Sequence, residues 1–177
     1  LHLVADEIDF RDFDNDGDGI LDGLAVINQG AGREATGAPN DIWSHSSTIY
    51  GMEFGGVQIR RYTIQPELLG NAGTRMSTIG VMCHEFGHNL GAPDFYDTDY
   101  ELSGGEFPGT GVWDLMASGA WNGDMGDRPA GTNMWQKIQL GWVTPEVLDG
   151  DRSVKAMKGA TFVPEAYRFD CTVPGEY

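Results

Sequence analysis

The chain has 177 residues, of which 40% are hydrophobic, and it carries 26 glycines and a formal net charge of −16. This length and composition predict one packed domain and exclude a disordered chain, and the charge argues against nucleic acid and anionic membranes as partners. No apolar stretch is long enough to predict a membrane span, and no signal peptide is visible. Because the chain opens on Leu1, we expect a truncated or processed piece of a longer protein.

Aspartates crowd the start of the chain, where five of the 17 lie between Asp12 and Asp22. The segment DNDGDGILDG fits a calcium-binding loop that begins at Asp14 and turns sharply at Gly19. Ala25 occupies the position of the bidentate glutamate of an EF-hand, and a solvated acidic turn is the alternative. We predict a structural calcium ion, since carboxylates this close repel one another without a cation. Its expected ligands are the side chains of Asp14, Asp16, Asp18 and Asp22 and the carbonyl oxygen of Ile20.

Two strands are predicted after this loop. Residues 23–30, GLAVINQG, form an apolar run that ends at Gly30, and residues 57–64, VQIRRYTI, alternate between apolar and polar side chains. The loop between them is polar apart from an apolar-aromatic patch in DIWSHSSTIY.

A helix is predicted over residues 77–91, STIGVMCHEFGHNLG. Ser77 or Thr78 can cap its start, and Gly91 can end it in a left-handed turn. Cys83 on this helix is expected to be a free, buried thiol. Four apolar side chains recur at helical spacing and support the helix, namely Ile79, Met82, Phe86 and Leu90.

The remainder of the chain is glycine-rich and irregular, with a second predicted helix over residues 132–142, TNMWQKIQLGW. Short strands are expected within residues 143–154 and 161–170. We therefore predict a main domain over residues 1–142, with residues 143–177 as the possible start of a following β domain.

The segment CHEFGHNLGAPD, residues 83–94, contains the metal-binding pattern H-E-x-x-H. Residues four apart share one face of a helix, so His84 and His88 can direct both imidazoles at one ion. Glu85 lies beside that face, where a base acting on metal-bound water is expected. These features predict a catalytic zinc site with Glu85 as the general base.

A catalytic zinc usually takes three protein ligands and keeps a fourth position for water. No histidine follows His88, so Asp94 is the predicted third ligand. Gly91 permits the chain reversal that this requires, and Pro93 favours an extended residue before it. The alternatives are a later carboxylate or an upstream histidine brought back by a loop, namely Glu101, Glu106, Glu146, His2 and His45.

These motifs resemble the immune inhibitor A family of secreted bacterial metallopeptidases, with the H-E-x-x-H-x-x-G-x-x-[HD] signature of metzincins. The resemblance extends from about Asp12 to Trp142, through DNDGDGILDG, DIWSH, HEFGHNLGAPD, YDTD, WDLMASG and QKIQLGW. It implies an extracellular bacterial protein in which Met116 is the methionine of a Met-turn, an apolar floor beneath the zinc ligands. It also implies that residues near Pro129 line the primed-side pocket.

The expected fold is α/β (α+β), a metzincin-like zinc peptidase catalytic domain. A twisted mixed sheet with the active-site helix packed on it would lie above an irregular lower subdomain. That lower part would carry Asp94, Met116 and the helix near Trp135, and the active-site cleft would run between the two parts.

The expected function is zinc-dependent endopeptidase activity on protein or peptide substrates, through a metal-activated water and Glu85. Tyr96, Tyr100 and His45 are candidates to support the oxyanion. A rival is a catalytically idle calcium- or zinc-binding module for adhesion or protein binding, and a third interpretation is a zinc hydrolase of a small amide. The sequence carries no signal for an oligomeric state.

Overall fold

The computed structural model describes residues 1–2, 4–71, 74–102, 104–148, 157, 159 and 163–169. This described part of the chain contains eight strands, three helices and three short 3-10 turns. The strands are β1 (Ala25–Ala31), β2 (His45–Thr48), β3 (Glu53–Phe54), β4 (Val57–Gln58), β5 (Arg61–Leu69), β6 (Arg75–Met76), β7 (Glu146–Leu148) and β8 (Tyr167–Phe169). The helices are α1 (Arg33–Thr36), α2 (Ile79–Asn89) and α3 (Met134–Gln139), and the 3-10 turns are Phe10–Phe13, Gly111–Trp113 and Ser118–Trp121.

The main sheet has β5 at its centre, with β1 on one side and β2 on the other. β1 runs parallel to β5, whereas β2 and β6 pair with it in the antiparallel sense. The predicted α/β class with a mixed sheet is therefore confirmed, and β1 lies within the strand predicted over residues 23–30 apart from its last residue. α2 packs against β5 and β2, so the sheet positions the helix that carries the H-E-x-x-H motif.

The strand predicted over residues 57–64 is interrupted. Val57–Gln58 pairs with β3, whereas Arg61 begins β5 in the main sheet. Between them, the Ile59 amide donates to the Met52 carbonyl oxygen at 2.9 Å, and the Ile59 side chain is buried in a small apolar core. The chain changes its pairing partner here, and the alternation of side chains does not reveal that change.

β5 continues to Leu69, five residues beyond the predicted end of the strand. Pro66 lies within it opposite Asn28 of β1, and the pairing register shifts between Asn28 and Ala31. A proline has no N–H to donate to a neighbouring strand, and the local irregularity in β1 accommodates it.

α2 confirms the helix predicted over residues 77–91, with narrower bounds. Thr78 occupies the N-cap position, but its hydroxyl donates to the Met125 carbonyl oxygen at 2.5 Å instead of capping the helix. At the other end Gly91 has a φ of +100°, and the next amide donates to the Gly87 carbonyl oxygen at 3.0 Å. This Schellman turn is the left-handed ending that the sequence predicts.

The buried positions of α2 are glycines rather than its large apolar residues. Ile79 and Leu90 are exposed, whereas Gly80 and Gly87 are buried. A side chain at Gly80 would overlap the carbonyl oxygen of Ala120. The helix therefore lies in close contact with the backbone of the lower part of the molecule.

α3 is shorter than the helix predicted over residues 132–142. Asn133 is its N-cap, and the Asn133 side chain accepts a hydrogen bond from the Gln136 amide at 2.9 Å. This cap fixes the start of the helix two residues later than the sequence pattern indicates. The described residues between α2 and α3 form loops and 3-10 turns, which agrees with the expected irregular lower part.

The tail forms a parallel pair between β7 and β8. These short strands lie within the predicted segments 143–154 and 161–170, but residues 149–156 and Cys171 lie outside the described residues. Cys83 is a free thiol of intermediate burial, less enclosed than expected. No helix in the described part of the chain is long and apolar enough to cross a membrane.

Candidate functional site

Three side chains that ligate metals in proteins converge beside α2. The Asp94 Oδ1 atom lies 3.2 Å from His84 Nε2 and 3.3 Å from His88 Nε2. The two histidines share one face of the helix because they are four residues apart. The structure therefore brings together the three residues predicted to bind zinc, and we call this group the metal centre.

Both imidazoles of the metal centre are held by hydrogen bonds from their other nitrogen. His84 Nδ1 lies 2.8 Å from the Leu115 carbonyl oxygen, and His88 Nδ1 lies 2.8 Å from the Ala92 carbonyl oxygen. A carbonyl oxygen only accepts, so each Nδ1 carries the proton and each neutral ring presents an Nε2 lone pair. This arrangement orients metal-ligating histidines and raises their basicity.

The Asp94 carboxylate completes a set of donors that suits a divalent cation. Burial raises the pKa of Asp94, but a proton and positive charge on His84 or His88 lower it well below its ordinary value, so this group is ionised at neutral pH. Asp94 Oδ1 is buried and has no hydrogen-bond donor besides these two imidazoles, which have no Nε2 proton to donate when they are neutral. Two imidazole nitrogens and one carboxylate oxygen form a ligand set of catalytic zinc, so the residues present fit that metal.

The turn that carries Asp94 is held by a chain reversal and two hydrogen bonds. Gly91 reverses the chain after α2 with its positive φ. The buried Gln136 of α3 donates from Nε2 to the Pro93 carbonyl oxygen at 2.9 Å. On the other side of Asp94, the Phe95 amide donates to the Met116 carbonyl oxygen at 2.7 Å. The carboxylate is therefore placed by hydrogen bonds to the backbone on either side of it, one from the Gln136 side chain of α3 and one with the segment that contains Met116.

Met116 lies directly beneath α2 and has an exposed fraction of 0%. A Cβ atom at Gly87 would lie 2.6 Å from the Met116 sulfur, so only glycine permits this approach without a shift. The Met116 amide donates to Asp114 Oδ1 at 3.1 Å. Asp114 is itself fully buried and also accepts hydrogen bonds from Thr110 and Asn133. This buried carboxylate organises the floor of the site.

Glu85 lies beside the metal centre and lines a cavity of about 430 Å³ together with His84. Burial raises the pKa of the Glu85 carboxyl above its ordinary value, against the effect of the neighbouring histidines. A raised pKa brings a carboxylate closer to the strength of a useful general base near neutral pH. The cavity leaves space beside this carboxylate for a bound molecule.

The candidate oxyanion residues separate into two groups. Tyr96 and Tyr100 line the cavity, whereas both ring nitrogens of His45 are engaged on the sheet by the Trp43 carbonyl oxygen and the Tyr62 hydroxyl. Burial and the nearby Asp94 charge raise the pKa of Tyr96 to about 12, so its hydroxyl keeps its proton at neutral pH.

The alternative third ligands do not join the metal centre. Among the described residues, no group of convergent ligand atoms contains Glu101, Glu106, Glu146, His2 or His45. Glu106 lines the same cavity without entering the group. Pro129 is not among the residues that line this cavity, whose lower wall is formed by the segment from Ala117 to Trp121.

The acidic loop brings together three of its five predicted ligands. Asp14, Asp16 and Asp18 place carboxylate oxygens close to one another, and Gly19 turns with a φ of +77°. Asp22 stands apart, because hydrogen bonds from the side chain and backbone of Asn15 engage its carboxylate and lower its pKa. The Ile20 backbone pairs with Gln58 next to the apolar core.

Several residues that shape the site were not identified from the sequence. They act through backbone carbonyl oxygens, close glycine contacts or buried polar side chains, and they are Gly80, Gly87, Ala92, Asp114, Leu115 and Gln136. Two features of the sequence could have indicated some of them. An aspartate inside the apolar run VWDLM and glycines within a predicted helix are both unusual.

Comparison with known proteins agrees with this geometry. Residues 4–143 match the profile of the family described as immune inhibitor A peptidase M6, catalytic domain. Immune inhibitor A of Bacillus thuringiensis subsp. alesti is 31% identical over 189 residues, which cover 91% of this chain and 26% of the relative. Pre-pro-metalloprotease PrtV of Vibrio cholerae serotype O1 (strain M66-2) is 31% identical over 153 residues, which cover 76% of this chain and 16% of that protein. The chain thus spans about a quarter or less of these relatives' length.

Proposed function

The chain belongs to the immune inhibitor A peptidase M6 family, and on this premise we propose that it is a zinc-dependent endopeptidase with Glu85 as its general base. The family assignment and the relatives support a metallopeptidase acting on proteins or peptides. The observation that carries the proposal is the metal centre beside the half-buried Glu85 at a cavity of about 430 Å³. His84, His88 and Asp94 are the proposed zinc ligands.

Zinc at this centre would supply a Lewis acid that polarises the peptide carbonyl and lowers the pKa of water. The Glu85 carboxylate would take the proton of the attacking water and return it to the leaving amine. Its burial beside the cavity supports both steps, because desolvation strengthens a base held next to its substrate. The Tyr96 hydroxyl, which keeps its proton, is the better-placed candidate to donate to the developing oxyanion.

The finer features of the fold are part of the same proposal. Met116 would be the methionine of a metzincin-like Met-turn, since it lies buried under α2 against Gly87. Residues 1–142 would form the catalytic domain, and residues 143–177 would begin a following β domain that starts with β7 and β8. As a member of this family, the protein would act outside a bacterial cell.

Calcium is proposed as a structural ion in the acidic loop. Asp14, Asp16 and Asp18 would supply side-chain oxygens, with the Ile20 carbonyl oxygen and Asp22 completing the set. The support is the convergence of three carboxylates at a turn whose next residues pair with Gln58. An ion here would stabilise the segment that leads into β1.

The rival interpretation, a catalytically idle calcium- or zinc-binding module, is less favoured. A structural zinc has four protein ligands and no need of a base, whereas among the described residues three ligand groups converge and Glu85 lies half-buried beside them at a cavity. A module of this kind would also have no use for the cavity next to Glu85.

The test is casein hydrolysis by the full-length protein before and after zinc removal, with zinc then added back. We expect activity to disappear with the metal and to return with it. Glu85→Gln should lower kcat/KM about 100- to 10,000-fold while zinc content is unchanged. Glu67→Gln, at an exposed position of β5, is the control and should behave as the wild type. Activity that survives complete chelation would overturn the proposal.

A further inference from the structure

The cavity beside Glu85, the first cavity, adjoins a second, smaller cavity. The first has a volume of about 430 Å³ and the second about 180 Å³, and four residues line both. The shared residues are Glu34, Ser44, Val81 and Trp121. A side chain that enters beside the metal centre therefore meets the Glu34 carboxylate at the boundary between the two spaces.

Glu34 is held in place without a positive partner. Its carboxylate accepts hydrogen bonds from the Ser44 hydroxyl and from the Ser44 amide at 3.3 Å. Gly32 lies against it so closely that a Cβ atom there would be 2.5 Å from Glu34 Oε2. Among the described residues, no lysine or arginine nitrogen lies within ion-pair distance of this carboxylate. A partly buried, fixed carboxylate of this kind is complementary to a cation.

The second cavity is lined by a buried side-chain amide that has no hydrogen-bond partner among the described residues. Gln65 of β5 lines it and has an exposed fraction of 2%. Neither the oxygen nor the nitrogen of its amide makes a hydrogen bond. An unpaired buried amide is costly, and most such groups in proteins have a partner. The oxygen of this amide is available to a hydrogen-bond donor that reaches the second cavity.

The first cavity is lined by carboxylates and aromatic side chains. Among the described residues that line it, the charged groups beyond the metal centre are carboxylates, with Asp97 and Glu106 in addition to Glu34 and Glu85, and none is a lysine or arginine. Aromatic side chains, among them Trp43 and Trp121, form much of the rest. Aromatic faces and carboxylates together suit a long aliphatic stem that ends in a positive charge.

We propose that this double cavity is the specificity pocket for a lysine or arginine side chain of the substrate, with Glu34 as the recognising carboxylate and Gln65 as a hydrogen-bond acceptor in the second cavity. The inference rests on the proposed peptidase function and names the substrate class for it. The basic residue occupies one fixed position relative to the cleaved bond, since the pocket opens beside Glu85.

The test is cleavage-site profiling of the zinc-loaded, full-length protein on a peptide library, with mass spectrometry to identify each cleaved bond. The wild type is expected to enrich lysine and arginine at one position. Glu34→Gln should lower kcat/KM for those peptides about 10- to 100-fold and leave peptides with leucine or methionine at that position unchanged. Glu53→Gln, which makes the same change of net charge on exposed β3, should keep the wild-type preference.

Two further variants test the pocket independently, so that the inference can still be tested if Glu34→Gln does not fold. Gly32→Ala keeps the charge but forces the Glu34 carboxylate aside, because Gly32 has an ordinary φ of −79° and the three atoms nearest to its new Cβ all belong to the Glu34 carboxyl group. Gln65→Met keeps the side-chain length and removes the amide. Both should weaken the preference for basic residues, with thermal midpoints that verify folding.

A binding measurement separates failure of this inference from failure of the proposed function. In Glu85→Gln, calorimetry should detect tighter binding of a short arginine-containing peptide than of its norleucine counterpart, and the added Glu34→Gln should abolish the difference. If the wild type cleaves peptides with no basic preference, or if Glu34→Gln and Glu53→Gln behave alike, the pocket assignment is wrong. If the zinc-loaded wild type cleaves nothing, the proposed function fails, and equal binding of the two peptides would then also overturn the pocket.

Discussion

The described part of the chain contains two groups of three side chains that can hold a cation, and their surroundings differ. The metal centre of His84, His88 and Asp94 is partly buried, and its histidines are oriented by backbone carbonyl oxygens. The acidic loop of Asp14, Asp16 and Asp18 lies at the surface. Its carboxylates accept hydrogen bonds from backbone amides within the loop itself.

This difference in burial and hydrogen bonding indicates how strongly each group depends on a bound ion. In the acidic loop, Asp14 accepts from the Gly19 amide at 3.0 Å and Asp18 accepts from the Ile20 amide at 2.8 Å, so each carboxylate has donors and water as well. At the metal centre, Asp94 Oδ1 is buried and has no donor. A buried, unpaired carboxylate oxygen is costly. We therefore expect the metal centre to depend on its ion more strongly than the acidic loop does.

The largest effect on stability is expected from Asp114→Ala, which removes the buried carboxylate beneath the metal centre. The change leaves the Met116 amide and the Asn133 side-chain amide without their acceptor, whereas the Thr110 hydroxyl keeps the Phe95 carbonyl oxygen. Leaving buried donors unsatisfied costs about 1–3 kcal/mol each, so we expect a loss of at least about 2 kcal/mol in the free energy of unfolding. Urea denaturation measures it.

The matched control for that prediction is Asp127→Ala. Asp127 is exposed and accepts one hydrogen bond, from the Asp124 amide at 2.6 Å, besides a weak contact with Arg128. Its removal should have a much smaller effect. Equal destabilisation by the two changes would show that Asp114 does not organise the floor of the site.

Calcium addition is expected to stabilise the protein through the acidic loop. At a calcium concentration about 100 times the Kd, mass action predicts a gain of about 2.7 kcal/mol in the free energy of unfolding. The triple change to asparagine at Asp14, Asp16 and Asp18 should abolish that gain, whereas Asp94→Ala should leave it intact. Thermal unfolding with and without calcium is the measurement, and a gain that persists in the triple variant would exclude the loop as the calcium site.

A smaller effect is expected from Asp22→Asn. Asp22 lies apart from the three converging carboxylates and is engaged by Asn15, and position 9 of such loops often binds calcium through water. Calorimetric titration should find calcium affinity reduced only a few fold, which is less than in Asp18→Asn. Unchanged affinity would remove Asp22 from the ligand set, and loss as complete as in Asp18→Asn would contradict its peripheral position.

The sequence predicted those parts of the fold and site that depend on local spacing. The helix with His84 and His88 follows from their i, i+4 spacing, and the turn at Gly91 follows from the demand for a positive φ. The convergence of Asp94 with the histidines could be anticipated because only two residues separate it from that turn. In each case the interactions span fewer than a dozen residues.

The remaining features depend on contacts between distant segments, which a single sequence does not encode in a readable pattern. Gln136 reaches Pro93 from another helix, and Leu115 orients His84 from a loop 31 residues away. The strand predicted over residues 57–64 was wrong in extent because Ile59 leaves one sheet for an apolar core and Pro66 is tolerated beside an irregularity in β1. Such choices are made by tertiary packing.

The most direct test of the central claim is metal content, measured by mass spectrometry on the wild type, Asp94→Ala, Glu101→Ala and Glu106→Ala. We predict about one zinc per chain in the wild type and in both glutamate variants, with zinc lost or much weakened in Asp94→Ala. Loss of zinc from Asp94→Ala alone would support the three-residue metal centre and its dependence on the ion. Full zinc occupancy in Asp94→Ala would contradict it and would mean that another residue closes the site.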